Sequence, residues 1–205
     1  MGVVIADLSV SLDGFIAGAN DGPSNPLGDG GEGLFAWMNA SEANRVHPYL
    51  APPDASKAIV EEWMTLSGAI ISGRRTFDIA GGWKEGHPVD APIFVVTHDP
   101  PTDGDWSPRV SFVTEGVERA LELAQDAAGD RVIGVSGASV AQQLLRLGKI
   151  DEIQLSVTPL LLGAGVRLFE GFDGPIRLEQ TRVIPSEGVT HLRYRVRYRD
   201  ESPGR

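Results

Sequence analysis

The chain has 205 residues, 41% hydrophobic and 22% charged, with a net charge of −10 and no cysteine. That is enough chain for one sizeable core and short for two, and it excludes disulfides, thiolate metal sites and cysteine nucleophiles. The acidic balance argues against general nucleic-acid binding, and with no apolar run of membrane-spanning length and no basic region ahead of a long apolar stretch at the start, we expect a cytoplasmic protein without a signal peptide.

Val3 to Leu12 alternates apolar and polar residues and is predicted as the first strand, closed by Asp13-Gly14. Ala19 to Gly33 has no periodic pattern and is rich in glycine, proline, asparagine and acids. It is either a loop covering a site or a disordered insertion. Leu34-Phe35-Ala36-Trp37-Met38 is predicted as a short helix with two aromatics turned inward, Trp37 being a core residue or a pocket lining. Residues 54–66 read as a helix with Ile59, Trp63 and Leu66 on one face.

Ala69-Ile70-Ile71 ends at Ser72-Gly73, followed by Arg74-Arg75-Thr76 and the periodic Phe77, Ile79, Ala80. This predicts a buried strand passing through a tight turn into a helix. Pro92 to Val96 is a further buried strand ending at Thr97-His98, and Val110 to Val113 a short one. A helix is predicted over 117–128 and a strand over 131–135. Ser136-Gly137-Ala138-Ser139 then turns into a helix from Val140 to Leu147. Ile150 to Leu162 reads as a strand and its continuation. Ile176 to Ile184 and Val189 to Arg199 form an antiparallel hairpin joined by Pro185-Ser186-Glu187-Gly188, and residues 200–205 are expected to fray. The order predicts an α/β protein: three layers, a mostly parallel mixed sheet flanked by helices with a C-terminal antiparallel hairpin, in a single domain over 1–199.

Ligands of such sheets sit beyond the carboxyl ends of the strands. If the strands are parallel neighbours, Ser72-Gly73-Arg74, Thr97-His98 and Ser136-Gly137-Ala138-Ser139 share one rim. Gly137 lets the backbone approach a ligand, and the following helix presents free N–H groups. Arg74 and Arg75 add forked positive donors. Two such turns, one armed with arginines, predict a diphosphate plus a further phosphate, as in NADPH. The four histidines lack zinc-binding spacing, so no metal is expected. Gly134-Val135-Ser136-Gly137-Ala138 is an imperfect nucleophile elbow, and a serine hydrolase would need His191 beside Ser136. Asp13, Asp29 and Glu32 are candidate catalytic acids or solvated loop residues.

Together these segments resemble the dihydrofolate reductase fold, and more closely the reductase domain of bifunctional riboflavin-biosynthesis deaminase-reductases and their stand-alone relatives. The resemblance is carried by Val10-Ser11-Leu12-Asp13-Gly14-Phe15-Ile16-Ala17, by Gly73-Arg74-Arg75-Thr76-Phe77, by the turn within 132–145, by Asp151-Glu152-Ile153-Gln154-Leu155, and by the run from Pro159 to Phe169. It implies an NADPH-dependent reductase and a homodimer. It places Arg74, beside Arg75, on the 2′-phosphate, Thr76 and Ser139 on the diphosphate, and Thr97 and His98 on the adenosine side. The turn Val135, Ser136, Gly137, Ala138, Ser139, Val140 is placed on the pyrophosphate and nicotinamide ribose, with Ser9 and Ile16 near the nicotinamide. Phe35 and Trp37 would border a flat conjugated C=N or carbonyl substrate, pterin-like or flavin-precursor-like. The chain also departs from the pattern. Ser136 stands where the riboflavin-pathway reductases carry a Glu, Ala138 where they carry a glycine, and residues 34–37 lack the acid of dihydrofolate reductase. The substrate therefore stays unassigned, and a non-catalytic nucleotide-binding or regulatory protein on this fold is the alternative.

Overall fold

The computed structural model describes residues 2–198; the expected fraying of 200–205 lies outside the described residues. Among the described residues ten strands form in chain order: β1 (Val4–Ser11), β2 (Phe15–Ala17), β3 (Ser67–Gly73), β4 (Ile93–Val96), β5 (Val110–Val113), β6 (Val132–Ser136), β7 (Glu152–Thr158), β8 (Val166–Arg167), β9 (Arg177–Ser186) and β10 (Val189–Arg197). The helices are α1 (Asp54–Leu66), α2 (Arg74–Ile79), α3 (Val117–Ala128) and α4 (Ala138–Arg146). Eight strands form one sheet in the order β5-β4-β3-β6-β1-β7-β10-β9. All neighbours are parallel except β10, which is antiparallel to both β7 and β9. This is the predicted mixed sheet with its terminal hairpin.

Period-two alternation gives the sheet two unlike faces. Val4 and Ala6 of β1, Ala69 and Ile71 of β3, and Ile133 and Val135 of β6 pack with α3 and α4 into the main core. On the other face, Ile70, Ile93 and Val95 pack on Phe77 of α2, while Val60 of α1 packs with Trp37, Leu50 and Val189. Between those two groups the sheet offers Asp7 and Ser9 of β1, Gly134 of β6 and Ser156 of β7. Small and polar groups cannot fill the space a layer of Ile and Val would occupy. A cleft results where a second core would otherwise close.

Three local expectations are corrected. The predicted helix at 34–38 is a pair of 3-10 turns, Gly31–Leu34 and Ala36–Asn39, broken at Phe35. The last hairpin keeps Pro185 and Ser186 in β9 and turns on Glu187-Gly188, where Gly188 has φ +72. An edge strand tolerates Pro185 because no further strand needs its missing N–H. Beyond β7, the expected continuation of the strand to Leu162 is irregular chain.

Candidate active-site cleft

The cleft has a volume of about 960 Å³. The turn after β3 brings Gly73, Arg74, Arg75 and Thr76 to its wall, the end of β4 brings Thr97 and His98, and the β6–α4 turn brings Val135, Ser136, Gly137, Ala138, Ser139 and Val140. Ser9 and Ile16 line it as well, as do Phe35 and Trp37. The parallel register explains the gathering: Ser72 lies opposite Ser136, and Gly73 opposite Val96. Both strand-to-helix turns therefore open at one level, and Arg74 and Ser139 share one cavity.

Gly137 sits at the start of α4 with φ 93 and ψ 143, and no side chain caps the helix. A Cβ on Gly137 would stand 2.7 Å from Thr76 Oγ1. The two turns are thus in contact, in a backbone geometry only glycine holds without strain. Uncapped N–H groups of α4, the Thr76 hydroxyl and Ser139 together form an anion cradle that fits a diphosphate. Gly137→Ala should cost about 3 kcal/mol in urea unfolding, the upper end for a strained backbone site. Gly163→Ala, also at positive φ but with open space around it, should cost only about 1 kcal/mol.

The two arginines have different partners. Arg74 donates Nε–H to Asp78 at 2.8 Å and Nη1–H to the Asp99 carbonyl, which leaves Nη2 uncommitted in these bonds. Arg75 grips Asp21, donating Nε–H at 2.6 Å and reaching the Asp21 carbonyl at 2.9 Å through Nη2. Asp21 belongs to the glycine-rich segment, which is ordered: Gly22 and Asn25 exchange backbone hydrogen bonds, and Gly18 N–H bonds the Leu27 carbonyl. Asp21, Pro26 and Leu27 line the cleft, so the segment is its cover. Arg75, expected beside a phosphate, is here paired with Asp21 of the cover.

The three loop acids do not line the cleft. Asp13 accepts hydrogen bonds from the Ser11 hydroxyl and the N–H groups of Leu162 and Gly163. The Ser11 bond lowers its pKa to about 2; desolvation opposes it and the two amides add to the lowering, so it is a fixed anion tying β2's turn to the 159–169 run. Asp29 binds Asn20 and Asn25 inside the cover. Glu32 is exposed.

A nucleophile pair of Ser136 with His191 is excluded by geometry. His191 is fully buried, with Nε2 on the Ser56 hydroxyl at 2.8 Å and Nδ1 on the Ser156 hydroxyl at 3.0 Å, and it is not beside Ser136. Burial lowers its pKa to about 4, so it is neutral. It meets the Trp37 ring edge-on at 4.9 Å, and the Trp37 indole N–H reaches Ser9 at 3.2 Å.

Sequence reasoning missed the groups at the inner end. Asp7 lines the floor, and Trp63 and His87 line the wall. His87 accepts the Val89 N–H on Nδ1 at 3.0 Å; burial dominates and lowers its pKa to about 4. Behind Asp7, Glu62 accepts hydrogen bonds from Arg182 at 2.7 Å and Arg193 at 2.6 Å. Burial would raise Glu62, but those two guanidinium bonds outweigh it. Asp7 itself is pushed up to about 7, chiefly by burial, with Arg193 opposing and Glu62 adding to the rise. The available signal was the alternation of β1: the parity that buries Val4 and Ala6 puts Asp7 with Ser9.

Comparison with known proteins agrees with this architecture. The family model described as the RibD C-terminal domain matches residues 3–190. The chain is 24% identical over 202 residues to the uncharacterized protein YyaP of Bacillus subtilis (strain 168), covering 93% of each. Among solved structures it is similar to RibD of Acinetobacter baumannii, with a TM-score of 0.61 and 19% identity over 97% of this chain and 59% of that one. It is also similar to dihydrofolate reductase from Enterococcus faecalis, crystallised with NADP(H), with a TM-score of 0.61 and 16% identity over 96% and 98% of the two chains.

Proposed function

This chain belongs to the RibD C-terminal domain family, and on that premise we propose that it is an NADPH-dependent reductase of a small conjugated C=N or carbonyl compound. One observation carries the reading. The turn holding Arg74 and Thr76 and the turn holding Gly137 and Ser139 touch each other in the wall of a single cleft. The fit extends along that wall: Arg74 offers Nη2 to the 2′-phosphate, Thr76 and Ser139 with the α4 N–H groups hold the diphosphate, and Thr97 and His98 flank the adenosine. Ser9, Ile16 and Val135 border the nicotinamide. When bound, the cofactor supplies a hydride. The chain orients the acceptor between Phe35 and Trp37, and the cover latched by Arg75 keeps water out.

At a NADPH concentration about a hundredfold above its Kd, unfolding free energy should rise by roughly 2.7 kcal/mol. A charge-assisted hydrogen bond contributes about 1.5–3 kcal/mol, so Arg74→Ala should weaken NADPH binding about 10- to 100-fold and NADH binding by less than about threefold. No stabilisation by either nucleotide would remove the reading. An equal loss for both would remove Arg74 from the 2′-phosphate.

A further inference from the structure

We infer that Asp7 is the acid that gives a proton to the substrate bound in this cleft, with Glu62 and Arg193 as its positioning groups. The inference rests on the reductase reading and names the proton donor that reading lacks.

The placement is specific. Asp7 stands on the cleft side of β1, beside β6, where Gly134 carries no side chain. A Cβ there would meet nothing closer than 3.9 Å, so the floor next to Asp7 is open. A second cavity of about 20 Å³ lies behind it, bordered by Ile5, Glu62, Leu66 and Arg193. That is room for one water. Asp7, Trp63 and Gly134 line both cavities, and of these three only Asp7 can carry a proton. A proton lost toward the ligand can therefore be replaced from the other side while the cleft is filled.

Its surroundings favour the protonated carboxyl, which is still substantially populated at neutral pH, and tolerate its ionisation. On β10, Arg193 is the cation beside Asp7, but its hydrogen bonds go to Glu62 of α1 at 2.6 Å and to Gln154 Oε1 of β7 at 2.8 Å. Glu152 of β7 lies 3.8 Å from Arg193 as well, and Arg182 of β9 is bonded to Glu62. Arg193 is thus shared among other acceptors and attracts Asp7 without a hydrogen bond. Gln154 lies in register with both Asp7 and Arg193. Its Oε1 accepts from Arg193, and its buried Nε2 has no partner among the described residues, a donor available to a new carboxylate. Two histidines line the cleft: His98 stands at the end of β4, and His87, at the inner wall near Asp7, is neutral, while both ring nitrogens of the buried His191 are hydrogen-bonded. A pKa near 7 suits a general acid at physiological pH.

The step balances. The hydride comes from bound NADPH, whose nicotinamide C–H bond breaks to leave NADP+ as the new C–H bond forms on the substrate carbon. The C=N or C=O π pair moves to the heteroatom, which takes the Asp7 proton to form N–H or O–H. Asp7 is left as a carboxylate beside Arg193 and regains a proton from water. The walls here are Phe35, Met38, Ile59 and Trp63, and the arginines lining the cleft are Arg74 and Arg75, at the strand ends. Among the described residues no arginine or lysine lines this inner part of the cleft, and Arg193 behind Asp7 is bonded to Glu62 and Gln154, so an uncharged, flat, phosphate-free acceptor fits.

The test has two arms on the full chain. Infrared titration of the protonated carboxyl band, taken as wild type minus Asp7→Asn, should give a midpoint near 7 with NADPH absent or present, and Glu62→Gln should lower it. A midpoint below about 5 overturns the inference. In the second arm, NADPH-driven reduction of cyclic imines should fall as pH rises above the Asp7 midpoint. Asp7→Asn should lower kcat about 100-fold or more while keeping the wild-type NADPH-induced rise in Tm. Activity of Asp7→Asn within about threefold of wild type overturns it. If no imine is reduced, the titration decides alone. Absence of any NADPH-induced Tm rise in wild type would sink the reductase reading, a failure separable from that of Asp7.

Discussion

Asp7→Asn should be more stable than the wild type at about pH 9, by roughly 2–4 kcal/mol, and should lose that advantage below about pH 4. The carboxyl has a pKa of about 7 in the fold against an ordinary 3.8. The unfolded chain releases this proton near its ordinary value, and the native protein holds it until pH 7. Its contribution to stability is therefore fully present below about 3.8 and is lost as pH rises through 7. A difference of that size is worth at most about 4 kcal/mol, less here because Asp7 opens onto the cleft. His87 and His191 act in the opposite sense. Each is lowered from 6.5 to about 4, so their contribution is complete above 6.5 and is lost as pH falls through 4. Both histidines remain in the variant, and their effects cancel in the difference. Urea titrations of the two proteins across this range measure it. Equal stability at about pH 9 would mean that Asp7 ionises as an ordinary surface acid. Charge buried at a cost to stability is common where a protein does chemistry.

The second large effect is expected at Trp37. The ring is 4% exposed and packs on Leu50, Val60 and Val189. Its N–H is bonded to Ser9, and its edge meets His191. Trp37→Ala should destabilise by about 3–5 kcal/mol, the usual cost of an aromatic-sized cavity. Trp37→Phe keeps most of the volume and loses the hydrogen bond, for about 1 kcal/mol. Urea unfolding distinguishes them. A loss below about 1 kcal/mol for the alanine variant would make Trp37 a loose cleft lining instead of the pillar between α1, β1 and β10.

Much of the architecture was legible in the residues because it depends on short-range physics. Apolar runs bounded by glycine locate β3 and β6, the run between Pro92 and Thr97 locates β4, and the two small-residue turns after β3 and β6 mark helix starts whatever the tertiary context. Strand order then follows from parallel pairing, which is why the strand-end candidates line one cleft. Where local rules failed, the cause is identifiable. The stretch 34–38 is too short and aromatic to sustain an α-helix, and it settles as 3-10 turns under the cleft. Pro185 resembles a breaker but lies on an edge.

The amino-acid order by itself determined which residues alternate along β1 and which turns can receive an anion. It could not say that the polar parity of β1 faces a ligand cleft instead of water, because that depends on Glu62 and Trp63, more than fifty residues away. Nor could it separate the arginines, since Arg74 and Arg75 are chemically alike and only the position of Asp21 in the folded cover tells them apart. The raised Asp7 carboxyl belongs to the same class. Desolvation is a property of what surrounds a group, and those surroundings exist only once α1, β7 and β10 have been brought together.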